Sequence, residues 1–372
     1  MNNEIRCNRC IMDNISDNKI LFDINGYCNY CSTAIKNKNN IYFPNKIGEE
    51  KIYKLIKLLK EKNKNKKYDC LMGISGGLDS SYLAYLGYKW GLRIICVHID
   101  DGFDTDISKE NINKLKKATG FDFITIEPDK EQFNNLTKAF MKASVPNIAM
   151  PQDNILFAVL YDYAKKNKIK YFLSGSNFAL ECILQEGNTH SAYDLKNIKD
   201  INNKYGDDKL DKLKFVTAIK RLTWEILLGI KTITPLNYIN YSREIALKEL
   251  NEFCGFEYYG RKHLENILTA FNQLYWLPKK FNVDKRTSHL SSMIISGQMT
   301  RDEALNLYLN DSICDEKLLN EYIEIIKSKL NITENEFIEI MNNKTKQHTD
   351  FKTDKIINFV NLYKSIKRIF SK

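Results

Sequence analysis

Four cysteines fall in the first 31 residues, as Cys7-x2-Cys10 and Cys28-x2-Cys31 with 17 residues between the pairs. Each C-x-x-C closes a tight turn that aims two thiolates at one ion, and two such knuckles make the spacing of a zinc ribbon. Four thiolates leave no open position for a bound water, so a zinc ion held there organises structure and does not catalyse. An iron–sulfur cluster is the competing occupant. A second chemical stretch is Gly73-Ile74-Ser75-Gly76-Gly77-Leu78-Asp79-Ser80-Ser81. Adjacent glycines let backbone amides approach a phosphate, and a helix N-terminus adds further amides and partial positive charge. The hydroxyls of Ser75, Ser80 and Ser81 are extra donors, and Asp79 is placed to hold Mg2+. The G-K-[ST] ending of a Walker A loop is missing.

These residues need a strand before the loop and a helix after it, and the pattern supplies both. Asp69–Ile74 reads as a buried strand and Leu78–Trp90 as a helix. Leu92–Ile99 and Phe121–Ile126 read as further strands, with a helix over Thr105–Thr119 between them. Helical stretches at 129–143 and 152–166 lead to a fourth strand, Lys170–Leu173, which ends at Ser174-Gly175-Ser176-Asn177. Strands with continuous apolar runs, alternating with helices, predict a parallel α/β sheet covered on both faces. Ligands of such sheets bind beyond the carboxyl ends of the strands, where Asp100, Asp101, Gly175, Ser176 and Asn177 fall. The organisation expected is a ribbon over 1–35, a basic helical linker over 36–67, a phosphate-binding α/β domain over 68–190 and a mostly helical region over 191–372. Polar residues 184–208 suggest a mobile flap over the site. A capping box, Thr300-Arg301-Asp302-Glu303, starts one late helix.

The 372 residues are 43% hydrophobic and 27% charged, enough for a core and unlike a disordered chain. No apolar h-region opens the chain and no run is long enough to span a bilayer, so a cytoplasmic protein is expected. The net charge of +10 is concentrated: residues 36–67 hold eleven Lys and three acids, and 344–372 hold eight Lys/Arg and two Asp. Neither segment coincides with the expected groove, so nucleic acid is not the expected partner. The terminal helix, with Ile356, Phe359, Val360, Tyr363, Ile366 and Phe370 on one face, reads as core packing or as a surface for a partner or an anionic membrane.

The S-G-G-x-D-S string resembles the PP-loop of ATP pyrophosphatases (the adenine nucleotide alpha hydrolase-like fold). The whole chain resembles, more closely, the bacterial N-acetyl sugar amidotransferases of surface-polysaccharide and flagellin-sugar synthesis. The resemblance runs through Cys7-x2-Cys10-Ile11-Met12-Asp13, Cys28-x-Tyr30-Cys31 and His98-Ile99-Asp100-Asp101-Gly102. It continues in Gly175-Ser176-Asn177 with Glu181, Gly260-Arg261-Lys262-His263 and Trp276-Leu277-Pro278. It closes with Lys285-Arg286, His289-Leu290-Ser291 and Gly297-Gln298-Met299-Thr300-Arg301. It departs at Cys182, where a small residue is expected. The resemblance implies adenylation of an acetamido oxygen by Mg-ATP, release of pyrophosphate, and attack by ammonia to give an acetamidino sugar. It implies that Ser75, Gly76, Gly77, Asp79, Ser80 and Ser81 hold phosphates and Mg2+. Asp100, Asp101, Gly175, Ser176 and Asn177 would face the nucleotide. Lys280, Lys285 and Arg286 would meet pyrophosphate or nucleotide-sugar phosphates, and His263 or His289 would act on ammonia. The acceptor would be an acetamido sugar or nucleotide sugar, with pseudaminic or legionaminic acids among the products. The chain has no glutaminase elbow of its own, so ammonia would come from a separate glutaminase.

Two rivals remain at this level. A tRNA thiolase or lysidine-type enzyme shares the PP-loop, and a thiolase would need a sulfur-carrying Cys, for which Cys182 is the candidate. A zinc-ribbon adaptor on a degenerate nucleotide fold is the non-enzymatic alternative.

Overall fold

In the computed structural model, which describes residues 4–207, 209–260 and 264–370, the five strands form one parallel sheet in the order β3-β2-β1-β4-β5. They are β1 (Cys70–Gly73), β2 (Ile94–Ile99), β3 (Asp122–Ile126), β4 (Tyr171–Leu173) and β5 (Lys231–Ile233). The register sets Gly73 beside Val97, and Met72 beside Leu173. The chain runs outward in one direction from β1 to β3 and in the other from β4 to β5. The switch in direction lies between β1 and β4, where a crevice opens at the strand ends. The phosphate-loop α/β sheet read from the sequence is therefore present, with the four expected strands within a residue or two of their expected bounds. β5 is a correction: Lys-Thr-Ile at the sheet edge is too short and too exposed to stand out in a region read as helical.

The helices begin with α1 (Asn29–Ile41) and α2 (Lys46–Lys62), followed by α3 (Leu78–Lys89) after β1 and α4 (Asp106–Thr119) after β2. Between β3 and β4 lie α5 (Lys130–Lys142) and α6 (Met150–Lys166). After β4 come α7 (Phe178–Glu181), α8 (Leu195–Tyr205) and α9 (Ala218–Leu227). Beyond β5 come α10 (Arg243–Cys254), α11 (Ile267–Phe271) and α12 (Leu277–Phe281), the last two joined by a π-helical turn over Asn272–Trp276. The chain ends in α13 (Arg286–Ser296), α14 (Arg301–Asn310), α15 (Glu316–Lys329), α16 (Glu334–Asn342) and α17 (Ile356–Phe370).

One face of the sheet packs Cys70, Met72 and Cys96 against α3 and α4, in a core continuous with the four ribbon cysteines and with Met293 and Ile295 of α13. The other face packs Leu71, Ile95 and Val97 against Ala158, Leu160 and Tyr161 of α6. A second core, around Phe140, Phe271 and Trp276, holds the C-terminal helices. The expected capping box is present, with Thr300 and Glu303 exchanging bonds. Residues 184–208 do not form a flap over the site. Six of their polar side chains (Gln185, Asn188, Asp194, Asn197, Asp200 and Asn202) are buried and tie the segment down: Asn197 caps the His348 and Lys352 carbonyls, and Asp194 accepts the Asp354 N–H. Buried amides and carboxylates are stable when satisfied in this way. No described helix is long and apolar enough to cross a membrane.

Candidate active site

A cavity of about 640 Å³ lies at the carboxyl end of the sheet, bounded by the β1–α3 loop, the end of β4, the start of α6, residues 258–260 and 265–266, and the segment 286–293. Gly76 takes a left-handed backbone (φ 72°) because the loop crosses α4: a Cβ there would sit 2.9 Å from Ser108 Cα. Gly77 caps α3 without any side-chain bond, which leaves the first-turn amides to other partners. One of them, Leu78 N–H, donates to the Tyr259 hydroxyl at 2.9 Å. The loop's hydroxyls turn inward, Gly77 N–H donating to Ser75 Oγ at 3.2 Å and Ser75 N–H to Ser80 Oγ at 3.3 Å. Both bonds are long, and phosphate oxygens would compete well for such donors. Asp79, in the first turn of α3, accepts a bond from the buried Tyr241 hydroxyl. Gly175 follows β4 at the switch point, where a Cβ would lie 3.1 Å from Asp79 C and Ser80 N. A larger residue would push the β4 end off the loop.

The loop after β2 supplies the opposite wall. Asp101, 6% exposed, accepts from Phe103 N–H at 2.9 Å and from Gln152 and Asn266 side chains. Burial, then the nearby Asp104, pushes its carboxyl up to about 6. His98 bridges the Ile74 carbonyl and the Asp104 carboxylate, each at 2.8 Å. Burial opposes its protonation, but the Asp104 carboxylate and the carbonyl outweigh this and raise the imidazole pKa. Asp153 of α6 opens onto the cavity. Val97, Ile99, Leu156, Phe157 and Phe172 give the cavity an apolar floor. Such a floor suits a purine ring, with phosphates directed at the loop.

Of the residues named from sequence, Ser75, Gly77, Asp79, Ser80, Asp101, Gly175, Ser176 and Arg286 line this cavity, with Glu181 and His289 beside them. Arg286 forks onto Asp284 and donates to the Asp311 carbonyl at 2.6 Å, which fixes its plane at the rim. Other named residues lie elsewhere. Gly76 sits behind the loop against α4. Ser81 points its buried hydroxyl into the core. Asp100 folds back to accept Gly102 N–H at 2.9 Å. Asn177 caps α7, accepting Leu180 N–H at 2.8 Å. Lys280 is a correction: its Nζ donates to the carbonyls of Ile340, Met341 and Asn343 and so closes the C-terminus of α16, outside the cavity. Lys285 lies on the side of Asp17, and burial depresses its amine to about 8. His263 lies outside the described residues.

Sequence reasoning missed Arg243, Tyr258, Tyr259, Glu265, Gln152 and Asp153, all of which line the cavity. Glu265 comes so close to the loop that a Cβ on Gly77 would lie 2.8 Å from its Cδ. Its own backbone carbonyl accepts Thr105 N–H at 3.0 Å, which ties this segment to the loop after β2. Cys182, the candidate sulfur carrier, does not line the cavity. It faces the Ser292 carbonyl, and burial pushes its thiol up to about 11. No cysteine among the described residues lines the cavity.

In the ribbon the four cysteines are fully buried, with their sulfurs within 4.8 Å of one another. Cys7 and Cys31 Sγ are 3.8 Å apart, and Cys10 and Cys28 Sγ 3.6 Å. A tetrahedral thiolate centre with metal–sulfur bonds of about 2.3 Å holds its sulfurs about 3.8 Å apart, so the donor set fits zinc. Backbone N–H groups of Arg9 and Cys28 point at Cys7 Sγ, and that of Cys31 at Cys28 Sγ, as charged thiolates require. Gly26 takes a left-handed backbone (φ 73°) just before the second knuckle.

Residues 265–367 match the model of a family described as the C-terminal domain of LPS biosynthesis protein WbpG-like proteins. That segment carries Glu265, Asn266, Thr269, Arg286 and His289 of the cavity wall, and the phosphate loop lies outside it. No curated protein matches the chain. Among solved structures, an NMN synthetase from Francisella tularensis is similar at 13% identity and TM-score 0.35, over 78% of this chain and 95% of its own. An NH3-dependent NAD synthetase from Campylobacter jejuni is similar at 16% identity and TM-score 0.31, over 80% and 98%. The U34-tRNA thiolase NcsA from Methanococcus maripaludis, solved with its [4Fe-4S] cluster, is similar at 13% and 0.32, over 87% and 88%. At such scores the likeness says nothing of substrate.

Proposed function

We propose that the chain is an ATP-dependent amidotransferase of surface-polysaccharide synthesis, which turns a sugar acetamido group into an acetamidino group. The observation that carries the reading is the β1–α3 phosphate loop opening onto a cavity with an apolar floor, beside a wall built from the LPS-biosynthesis-like segment. Ser75, Gly77, Ser80 and the first-turn amides of α3 bind the triphosphate. Asp79, held by Tyr241, would hold Mg2+, which would neutralise the phosphates in a cavity otherwise rich in carboxylates. The acetamido oxygen attacks the α-phosphorus and the bond to pyrophosphate breaks. Ammonia adds to the resulting imidate carbon, loses a proton, and AMP departs carrying the oxygen. Fixed amides aimed at the charge developing on phosphate supply most of the stabilisation. Asp101, buried and with its carboxyl pushed up to about 6, is suited to take a proton from the attacking ammonia near neutral pH. Ammonia comes from a separate glutaminase subunit, and zinc in the ribbon serves structure.

The thiolase alternative lacks a thiol at the cavity among the described residues. The test is incubation with Mg-ATP, ammonium at raised pH and a panel of acetamido sugars, read by mass spectrometry for O replaced by NH, with AMP and pyrophosphate measured alongside. Product that requires Asp79, shown by its loss in Asp79→Ala, and persists in Cys182→Ser supports the reading. AMP release only with tRNA, lost in Cys182→Ser, refutes it.

A further inference from the structure

Strand β2 is an apolar buried run, Ile94-Ile95-Cys96-Val97-His98-Ile99, with one imidazole in it. Alternation puts His98 on the face of Ile94 and Cys96, which belong to the core with α3 and α4. His98 is buried, so its ring nitrogens must find their partners inside the protein. β1 ends opposite Val97, and Ile74 N–H carries the ladder one step further, to the Val97 carbonyl at 3.0 Å. Ile74 is the last residue before the chain turns out at Ser75. Its carbonyl lies 2.8 Å from His98 Nδ1. Across the ring, Nε2 forms an ion pair with Asp104 Oδ2, also at 2.8 Å. Asp104 is buried too, and its backbone bridges to Asn266 in the LPS-biosynthesis-like segment. The imidazole therefore joins the start of the phosphate loop to the opposite wall of the cavity.

Both neighbours of the ring are oxygens. A neutral imidazole keeps one bare lone pair, which here would face a carbonyl or a carboxylate; an imidazolium donates to both. A second buried histidine shows what burial does without such neighbours. His348 Nδ1 lies 2.9 Å from Asn197 Oδ1, its Nε2 has no hydrogen-bond partner, and burial with the adjacent His190 pushes its pKa down to about 3. Burial opposes the charge on His98 as well, but Asp104, the Ile74 carbonyl and Asp100 outweigh it and raise the pKa. Asp79, Asp101 and Glu265 line the same cavity and add negative charge, against the cations Arg243 and Arg286. We propose that His98 is a positioning residue of the phosphate loop, an imidazolium that ties the loop's first residue to Asp104 and sets a positive charge beside the phosphate site. The inference rests on the reading of the β1–α3 loop as that site. As pH rises through the His98 midpoint the ring gives up one of its two ties, so phosphate uptake is full below the midpoint and falls above it. Linkage makes the effect reciprocal: bound phosphates hold the proton on His98 more tightly.

The test is nitrogen-15 NMR of the full chain labelled at histidine, with and without Mg-ATP, beside titrations of Mg-ATP and adenosine binding. Both His98 nitrogens should carry protons at pH 6.5, with a midpoint above that value that moves higher when Mg-ATP binds. Asp104→Asn keeps the shape and removes the charge, and should bring the midpoint down. His98→Gln should weaken Mg-ATP binding about tenfold, the worth of a charged hydrogen bond, and leave adenosine binding unchanged. The His98 signals are assigned by their loss in His98→Gln or, if that variant does not fold, by their shift in Asp104→Asn. A bare nitrogen on His98 at pH 6.5, or a midpoint indifferent to Mg-ATP in a protein that binds it, overturns the inference alone. A wild-type chain that binds no Mg-ATP overturns the reading of the loop and the inference with it.

Discussion

Two glycines with similar backbone angles separate strain from collision. Gly76 (φ 72°) and Gly120 (φ 64°) both need the left-handed region, but a Cβ on Gly120 meets nothing within 4 Å. On Gly76 it would lie 2.9 Å from both Ser108 Cα and its carbonyl carbon, and closer to the oxygen. Gly120→Ala is therefore expected to cost only the backbone term, about 1–2 kcal/mol. Gly76→Ala adds overpacking against a backbone that cannot rotate away, about 1–3 kcal/mol more. The loop and the first turn of α4 must part by about 1 Å to restore ordinary contact distances. Displacement of that size at a reacting centre costs about a hundredfold in rate, or about 2.7 kcal/mol of barrier. The assay is pyrophosphate release with Mg-ATP and the acetamido acceptor, alongside urea unfolding of both variants. Gly120→Ala should be destabilised with its kcat/KM intact, and Gly76→Ala should lose both. A folded Gly76→Ala protein within threefold of wild-type kcat/KM would refute the assignment of this loop to the phosphates.

Metal analysis should find one thiolate-bound zinc per chain, and Cys10→Ser should lose it together with cooperative unfolding, since a structural site contributes folding energy directly; visible charge-transfer absorption from iron would replace that outcome with a cluster. Lys280→Met should cost about 1–3 kcal/mol by leaving the α16 carbonyls uncapped while kcat stays near wild type; a large fall in kcat at unchanged stability would return Lys280 to the chemistry. Asp101 has its folded pKa raised from 3.8 to about 6, so its contribution to stability is full below pH 4 and is lost as pH rises to 6. That loss amounts to about 3 kcal/mol at most, and urea midpoints of Asp101→Asn should fall less over this interval than those of wild type.

The residues legible in the sequence are those whose partners are close in sequence. The ribbon cysteines declare themselves by spacing, and the phosphate loop by its glycines between a strand and a helix. The cavity's other wall is assembled across long separations: Gln152 and Asn266 meet on Asp101, and Tyr259 reaches Leu78. No local pattern encodes such meetings. Lys280 was misleading for the same reason, because the carbonyls it satisfies lie 60 or more residues further along. The polar stretch 184–208 looked like a surface flap because its side chains are hydrophilic. Interior amides such as Asn197 are tolerated only once the partner carbonyls of His348 and Lys352 are in place, and those too are distant.

Helix α13 explains how a ribbon without an open metal position bears on a cavity elsewhere. Arg301, just past this helix, donates to the Cys7 and Cys10 carbonyls at 3.1 Å each. Ile11 N–H donates to Ser291 Oγ at 3.1 Å, and Lys38 Nζ to the Ile295 carbonyl at 2.8 Å. The ribbon and α1 thus hold the C-terminal half of α13 and the start of α14. The adjacent face of the same helix packs on α7 and the residues after it, where Ser292 Oγ accepts Ile183 N–H at 3.0 Å and Ser296 Oγ donates to the Ala179 carbonyl at 2.8 Å. Its first turn carries Arg286 and His289 to the cavity. A thiolate centre that fixes the knuckle carbonyls therefore fixes the helix that presents both side chains. With buried sulfurs and a closed ligand set, a metal held there would bear on the cavity through this packing and not as a Lewis acid.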